Sequence, residues 1–332
     1  MISTAASTRR GAARASFRIR SSLYGDRCSL ARNWFPNNCA ETRTARFAGS
    51  EAEATLEPPS CWIASRVGRT NVDASEIARG EQVAEAARVR VIDLETAGNG
   101  PNDVCEIGWQ DVVQAPDGRW GLDAERGSLL IDPGRPISPE TMAIHHILDR
   151  DVIGAPLWKQ AAASVLQPRQ PVAALAAHRA AFERRYCTPR LCAGAPWICT
   201  WKCALRLWPH LPRFSNQMLR YQRMPVGLVH EIGLPAHRAM PDAYVTAHHL
   251  RDMLNEASLE QLLAWSAQPG LLPRVPAGSE RGKAWSQVDL QLLQGFLKDR
   301  DADIRFTAEM ELARREDKSS TVKEPPIQPR LL

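Results

Sequence analysis

A short apolar run that ends in two carboxylates constrains this chain more than any other feature. The run Val89–Ile92 leads directly into Asp93, Leu94 and Glu95. In an extended strand residues i and i+2 point to the same side, so the carboxylates of Asp93 and Glu95 converge on one spot. Hard divalent cations prefer such oxygen ligands. Acidic pairs at strand ends are usually solvated, so the metal-binding interpretation depends on acids elsewhere in the chain.

Two downstream segments supply those acids. The first carries His178, Arg179 and Glu183, and the second carries His237 five positions before Asp242. Together with the Asp-x-Glu pair, these segments match in order and spacing the three signature motifs of the DEDDh 3′-to-5′ exonucleases. The chain therefore resembles that family.

The resemblance extends from about residue 88 to about residue 255. Glu106-Ile107-Gly108 stands where the family has an EIG sequence on its second strand, and residues 132–147 resemble the family's NPxRPIPPE…HGI connection. The resemblance implies an α/β fold of the ribonuclease H-like kind, in which a mixed sheet is flanked by helices. The predicted order of three strands, helix, strand and helix agrees with it.

Local patterns place these elements along the chain. Alternating and apolar runs between turn residues predict strands at Val89–Leu94, Val104–Val113, Leu129–Asp132 and Val172–Ala177. Helices are predicted from Ser138-Pro139, over residues 180–186, and from Pro241 to about Leu254.

The resemblance also implies a chemistry. Two metal ions about 3.5 to 4 Å apart can catalyse phosphodiester hydrolysis. By resemblance Asp93, Glu95, Asp242 and Glu183 hold two Mg²⁺ or Mn²⁺ ions, with Asp93 bridging both. His237 stands where the family has the histidine that deprotonates the attacking water, and histidine changes charge near neutral pH as a general base must. A solvated loop histidine is the alternative interpretation of His237.

Two positions depart from the family pattern. The second motif usually reads HNxxFD, whereas Arg179 replaces the Asn and Glu183 replaces the Asp. Glutamate keeps the charge and the oxygen ligands but reaches about one bond further, and a misplacement of about 1 Å can lower a rate about 10²-fold. Arg179 is a candidate contact for substrate phosphate.

Further residues are candidates for binding the terminal nucleotide. By resemblance Thr96 and Ala97, with Ile144 or His145, line the pocket for the terminal base. His178 is expected to have a structural or substrate-positioning role. His248 and His249 are expected to be surface or packing residues.

Charge is distributed unevenly along the chain. The net charge is +5, but residues 1–49 hold nine arginines, no lysine and two acids, which leaves the remainder slightly acidic. A nucleic-acid surface must therefore be a local patch. Its candidates are Arg179, Arg184, Arg185, Arg190 and Arg206.

The eight cysteines form no regular disulfide framework, and no apolar run approaches the ~20 residues that cross a bilayer. A reducing cytoplasm is the expected compartment. Cys187, Cys192, Cys199 and Cys203 lie close together, but without a tight CxxC pair they favour buried apolar thiols over a zinc site.

Composition divides the chain into five parts. Residues 1–85 lack periodicity. They are expected to be a disordered segment, a transit peptide, a nucleic-acid-binding arm, or an extension upstream of a chain that starts near Val83. We favour the last interpretation. Residues 86–266 form the exonuclease domain, 267–279 a linker, 280–316 a small helical C-terminal module, and 317–332 a disordered tail. The module resembles that of exodeoxyribonuclease X-type proteins, and a helical cap on the catalytic domain is the alternative.

These observations predict a metal-dependent exonuclease that releases nucleoside monophosphates from the 3′ ends of single-stranded or frayed DNA. An exoribonuclease of the same fold is the alternative among enzymes, because nothing in the sequence decides the sugar. A degenerate nuclease that only binds nucleic acid is the alternative from another class, and Glu183 is the feature that favours it. A proofreading role would need a polymerase partner.

Overall fold

The computed structural model describes residues 86–321, in which the central element is a five-stranded mixed sheet. Its strands are β1 (Arg88–Thr96), β2 (Val104–Gln114), β3 (Trp120–Leu130), β4 (Ala174–Ala177) and β5 (Trp197–Cys199). The spatial order is β3-β2-β1-β4-β5. The first three strands form an antiparallel meander, and β4 and β5 extend it in parallel from β1.

Eight helices accompany the sheet in the described residues. They are α1 (Pro139–His145), α2 (Trp158–Leu166), α3 (Thr200–Leu207), α4 (Asn216–Arg223), α5 (Ala239–Glu256), α6 (Leu259–Ala267), α7 (Leu290–Phe296) and α8 (Ala302–Thr321). The predicted α/β class, a mixed sheet flanked by helices, is confirmed. None of the helices within this range combines the length and apolar character that crossing a bilayer requires.

Alternation along β1 assigns its side chains to two separate cores. Val89 and Val91 pack with Ala243 and Leu250 of α5, whereas Ile92 and Leu94 pack with Trp158 of α2 on the other face. Because side chains alternate in a strand, Asp93 and Glu95 follow Val89 and Val91 on the α5 face. The acidic end of β1 therefore lies on the side where α5 begins.

A close approach fixes where α5 begins. Gly108 of β2 pairs with Asp93 of β1, and a Cβ placed on Gly108 would lie 2.2 Å from the carbonyl carbon of Ala239 and from the backbone nitrogen of Met240. Only a glycine lets the backbone of the first turn of α5 rest on β2 at this point. Asp242, in the first turn of α5, is thereby brought over the end of β1.

The C-terminal part has a small core of its own. Val275, Trp285, Val288, Leu293 and Ile304 are buried together. The predicted linker contributes to this core, since Val275 exchanges backbone hydrogen bonds with the turn at residues 282–283. Residues 267–279 were predicted from their prolines and glycines to be a linker, and within this segment Val275 is buried in the core and Leu272 packs against it.

Three other predictions need comment. Residues 180–186 do not form an α-helix. They make mostly i to i+3 bonds and a single 3-10 turn at Glu183–Arg185, after Arg179 adopts a left-handed conformation with φ of 64°. Helix α8 runs to Thr321, so the first residues of the predicted tail are helical. The predicted segment 1–85 lies outside the described residues.

Candidate metal site

Three carboxylates meet at the junction of β1 and α5. Asp93, Glu95 and Asp242 each offer an oxygen, and these oxygens all lie within 4.8 Å of one another. Asp93 and Glu95 come from alternate positions of β1, and Asp242 comes from the first turn of α5. The structure thus brings together three of the four predicted metal ligands.

The electrostatics of this cluster favour a cation. Burial, reinforced by Asp242 and Glu95, raises the pKa of Asp93 well above its usual range. Burial, together with Asp242 and Glu106, raises the pKa of Glu95 to about 8. Carboxylates this close and this poorly solvated resist ionising together unless a positive charge joins them. The donor set consists of oxygens, as a divalent cation such as Mg²⁺ prefers.

Glu183, the fourth predicted ligand, lies beside this cluster rather than in it. Its side chain is buried, and burial, with a smaller contribution from Glu95, raises its pKa to about 8. No hydrogen-bond donor in the described residues reaches its Oε2 atom. A buried carboxyl oxygen without a partner is destabilising, and a bound cation would remove that penalty. The residues present therefore fit a divalent metal.

His237 stands at the entrance to α5 with its side chain exposed. Its φ is 61°, a left-handed conformation that disfavours non-glycine residues by about 1 to 2 kcal/mol. Its backbone N–H donates to Asp242 Oδ2 over 2.7 Å. This bond holds the loop of His237 against a metal-site carboxylate and leaves the imidazole facing solvent.

An ion pair between a buried carboxylate and a half-buried guanidinium, which no sequence pattern predicts, supports the same loop. Glu106 of β2 accepts two hydrogen bonds from the guanidinium of Arg238, both over 2.8 Å, and one from the backbone N–H of Ala239. Charge-assisted bidentate pairs are strong and directional. The residue that follows His237 is thus anchored to the sheet. The motif Glu106-Ile107-Gly108 matches the family pattern, but no local pattern links it to residue 238.

Two amides from α4 also orient Asp242. Gln217 Nε2 donates to Asp242 Oδ1 over 2.6 Å, and Asn216 Nδ2 donates to the Asp242 carbonyl oxygen over 3.1 Å. Asn216 is itself held by the hydroxyl of Thr246. No sequence pattern marks these residues as part of the site, because α4 belongs to none of the three motifs.

His178 is engaged within the protein at both ring nitrogens. Nε2 lies 2.8 Å from the carbonyl oxygen of Phe214 and so donates to it, while Nδ1 lies 3.0 Å from Thr200 Oγ1. Burial lowers the pKa of His178 to about 4, so the ring is neutral at neutral pH. It ties the end of β4 to the segment that precedes α4. Next to it, Arg179 is exposed, with its guanidinium carbon 4.3 Å from the centre of the Trp201 ring.

The residues predicted to line a terminal-base pocket differ in exposure. Thr96 and Ala97 are buried at the end of β1, and Ile144 is about half exposed on α1. His145 is buried, where its Nε2–H donates to the Thr96 carbonyl oxygen and its Nδ1 accepts from Ile147. Burial lowers the pKa of His145. The ring therefore serves as a fixed neutral spacer between α1 and β1.

The remaining candidates are placed as follows. Arg179, Arg184, Arg185 and Arg190 are exposed, whereas Arg206 is half buried against the carbonyl oxygen of Pro269. The four cysteines at 187, 192, 199 and 203 are buried free thiols, and within residues 86–321 no cysteine joins a group of metal ligands. His248 and His249 are buried packing residues of α5.

The mixed sheet, with carboxylates converging from its central strand and from the helix laid across it, defines the ribonuclease H-like class of metal-dependent nucleases. No protein-family model matches the chain. Exodeoxyribonuclease 10 of Escherichia coli strain K12 is 36% identical over 202 residues, which cover 60% of this chain and 84% of that protein. The same protein from a second E. coli strain gives the same figures.

A structure described as exonuclease X in complex with 5′ overhanging duplex DNA is 35% identical and covers 54% of this chain and 99% of that one, with a TM-score of 0.42. An E. coli exonuclease I structure in complex with a dA16 oligonucleotide is 15% identical, with a TM-score of 0.40, over 54% of this chain and 42% of that one. The identity to exodeoxyribonuclease 10 and the extent of the match show that the chain belongs to the exodeoxyribonuclease 10 family.

Proposed function

We propose that this chain is a 3′-to-5′ exonuclease that hydrolyses the terminal phosphodiester bond of single-stranded or frayed DNA, with two Mg²⁺ or Mn²⁺ ions as cofactors. The observation that carries the proposal is the convergence of Asp93, Glu95 and Asp242 within 4.8 Å beside the exposed His237. DNA is favoured over RNA because the relative is an exodeoxyribonuclease.

Each residue of the site has a role in this reaction. Asp93, Glu95 and Asp242, with Glu183, would hold the metal ions, which when bound neutralise the phosphate and assist both the attacking and leaving oxygens. His237 takes the proton from the attacking water. Its imidazole is exposed, so the proton passes directly to solvent.

The strained conformation of His237 is part of this role. The Asp242 bond to its backbone N–H fixes one side of the loop, and the Arg238 pair with Glu106 fixes the other. A non-glycine residue persists in a left-handed conformation only when its surroundings hold it there. The imidazole is thus presented from a preorganised loop, as general-base catalysis requires.

The setting in the cell is also part of the proposal. The five cysteines in the described range are all free thiols, which fits a reducing cytoplasm. The partner in this proposal is a nucleic-acid 3′ end.

The test uses the full chain with 5′-labelled single-stranded DNA and RNA of one sequence, in Mg²⁺, Mn²⁺ or EDTA. We expect a ladder of shortened DNA that depends on metal and is lost, by at least about 10²-fold in rate, in Asp93→Asn and Asp242→Asn. Asp117→Asn, in the exposed β2–β3 turn, is the matched control and should keep the wild-type rate. If the wild type binds DNA tightly but leaves it intact, the chain is a nucleic-acid-binding module. If only RNA is shortened to a ladder, the chain is an exoribonuclease.

A further inference from the structure

A cleft that the catalytic proposal does not use lies between the exonuclease domain and the C-terminal part. It has a volume of about 320 Å³, within the range of ligand sites. Arg179, Trp201 and Phe214 line it on one side, and Leu272, Arg274 and Arg281 on the other. We call it the Arg179–Arg281 cleft.

Two residues that line the cleft are close in sequence to residues of the candidate metal site. Arg179 lies four positions before Glu183, and Phe214 lies just before Asn216 and Gln217, which hydrogen-bond to Asp242. Two segments that line the cleft thus continue directly into residues of the candidate metal site.

The lining of the cleft is cationic. Arg179, Arg274 and Arg281 are exposed, and no acid is among the lining residues. Within residues 86–321 none of these three guanidinium groups forms an ion pair with a carboxylate. The adjacent cleft shares Arg179 and Trp201 and adds Arg184. Three guanidinium groups without a carboxylate in one cleft complement a polyanion.

Two acids close to the cleft, Asp303 and Glu280, have partners other than its arginines. Asp303, in the adjacent cleft, accepts a hydrogen bond from the backbone N–H of Gly270 over 2.7 Å. Glu280 pairs with Lys283 over 2.7 Å. Within residues 86–321 neither carboxylate forms an ion pair with an arginine of the Arg179–Arg281 cleft.

Arg179 is held in a way that suits phosphate binding. Its left-handed backbone and its stacking on Trp201 fix the guanidinium plane against the indole. Stacking uses the face of the guanidinium and leaves its N–H edges free, and those edges match phosphate oxygens bidentately.

A hydrogen bond and close packing hold the segment at residues 270–272 between α8 and α3. The hydroxyl of Thr307 in α8 accepts from the backbone N–H of Leu272 over 2.9 Å, and Gly270 packs against Trp201 and Leu205 of α3 so closely that a Cβ would lie 2.8 Å from the indole. The segment that carries Arg274 is thus fixed to both sides.

We propose that the Arg179–Arg281 cleft is a second polynucleotide-binding site, which holds backbone phosphates of the strand upstream of its terminal nucleotide. This inference rests on the proposed function and assigns the C-terminal part a role in retaining substrate. It commits the cleft to a nucleic-acid strand rather than to an acidic protein.

The test measures binding of the full chain to fluorescently labelled dT20 in EDTA, between 50 and 200 mM salt, for the double variant Arg274→Gln/Arg281→Gln. Each phosphate contact to a single strand contributes about 0.7 to the slope of log K against log salt, so the slope should shrink by about 1.4. At low salt the affinity should fall about tenfold or more. Arg274→Lys/Arg281→Lys keeps both charges and should retain the wild-type slope.

The matched control is Lys298→Gln/Arg300→Gln, two exposed cations of the same C-terminal part outside the cleft. It should leave slope and affinity as in the wild type. Equal slopes for wild type and Arg274→Gln/Arg281→Gln, or equal losses in both glutamine pairs, would overturn the inference. Because binding is measured without turnover, that result is distinct from failure of the proposed function, which is a wild type that cleaves nothing with metal.

Discussion

At the scale of single residues, Glu183 decides how the site works. It is a glutamate where the DEDDh pattern has aspartate, it lies beside the cluster rather than inside it, and its buried Oε2 has no donor in the described part of the chain. The extra bond of a glutamate places the carboxylate further from its own backbone. Glu183 begins the 3-10 turn Glu183–Arg185, which stands in place of the predicted helix.

We predict that Glu183→Gln lowers kcat at saturating Mg²⁺ by about 10²-fold, because the neutral amide removes one anionic ligand while keeping the shape. Glu183→Asp keeps the charge and should remain within about tenfold of the wild type. Steady-state kinetics on single-stranded DNA measure both. A Gln variant as active as the wild type would remove Glu183 from the metal site.

How far the sequence predicts the site depends on the distance over which its residues interact. Asp93, Glu95 and Asp242 could be identified because strand alternation and motif spacing are local patterns. The Glu106 pair with Arg238 joins residues 132 positions apart, and nothing in either local sequence marks the other as its partner. Gln217 is missed for the same reason.

At the scale of elements, the position of α5 depends on the register between β1 and β2. Asp93 pairs with Gly108, and Gly108 makes room for the first turn of α5. Strands and helix α5 were predictable from periodicity and from the proline near the helix start. Their contact was not, because a glycine in a strand has several possible causes. The prediction of a helix over residues 180–186 was wrong, since Arg179 turns the backbone left-handed just before it.

Gly108→Ala tests whether the position of α5 depends on Gly108. Its Cβ would meet backbone atoms at 2.2 Å, so α5 must shift outward, and we expect a destabilisation of about 3 kcal/mol together with weakened metal binding. Gly121→Ala in β3 is the matched control, because its Cβ meets nothing within 4 Å, and it should change stability by less than about 1 kcal/mol. Chemical denaturation gives both values. Equal stabilities for the two variants would show that α5 does not depend on Gly108.

At the scale of the whole molecule, stability depends on pH through two kinds of buried group, acids with raised pKa values and histidines with lowered pKa values. The pKa values of Glu95 and Glu183 are raised to about 8, so the stability that these neutral acids contribute is present at low pH and is lost as pH rises toward 8. Burial lowers the pKa of His178 to about 4 and of His249 to about 3. Stability from these neutral rings is present above about pH 6.5 and is lost as pH falls toward those values.

Metal binding should change the pH dependence of stability only where Glu95 and Glu183 lose their protons, as pH rises toward 8. Cations compete with the protons on Glu95 and Glu183, so the affinity for Mg²⁺ should rise with pH up to about 8, by up to about tenfold per pH unit for each proton displaced. We therefore predict that the EDTA-treated protein is most stable on the acidic side of neutrality, and that millimolar Mg²⁺ raises Tm more at pH 8 than at pH 6. Thermal denaturation of the full chain between pH 5 and 8.5 measures this difference. Glu95→Gln/Glu183→Gln cannot ionise at these positions, so its metal-free Tm should decline less steeply above pH 6 than that of the wild type, and the remaining decline is due to Asp93, whose pKa burial also raises. A Mg²⁺ effect of equal size at both pH values would mean that the carboxylates are already ionised without metal, and that the cluster is not poised to exchange protons for a cation.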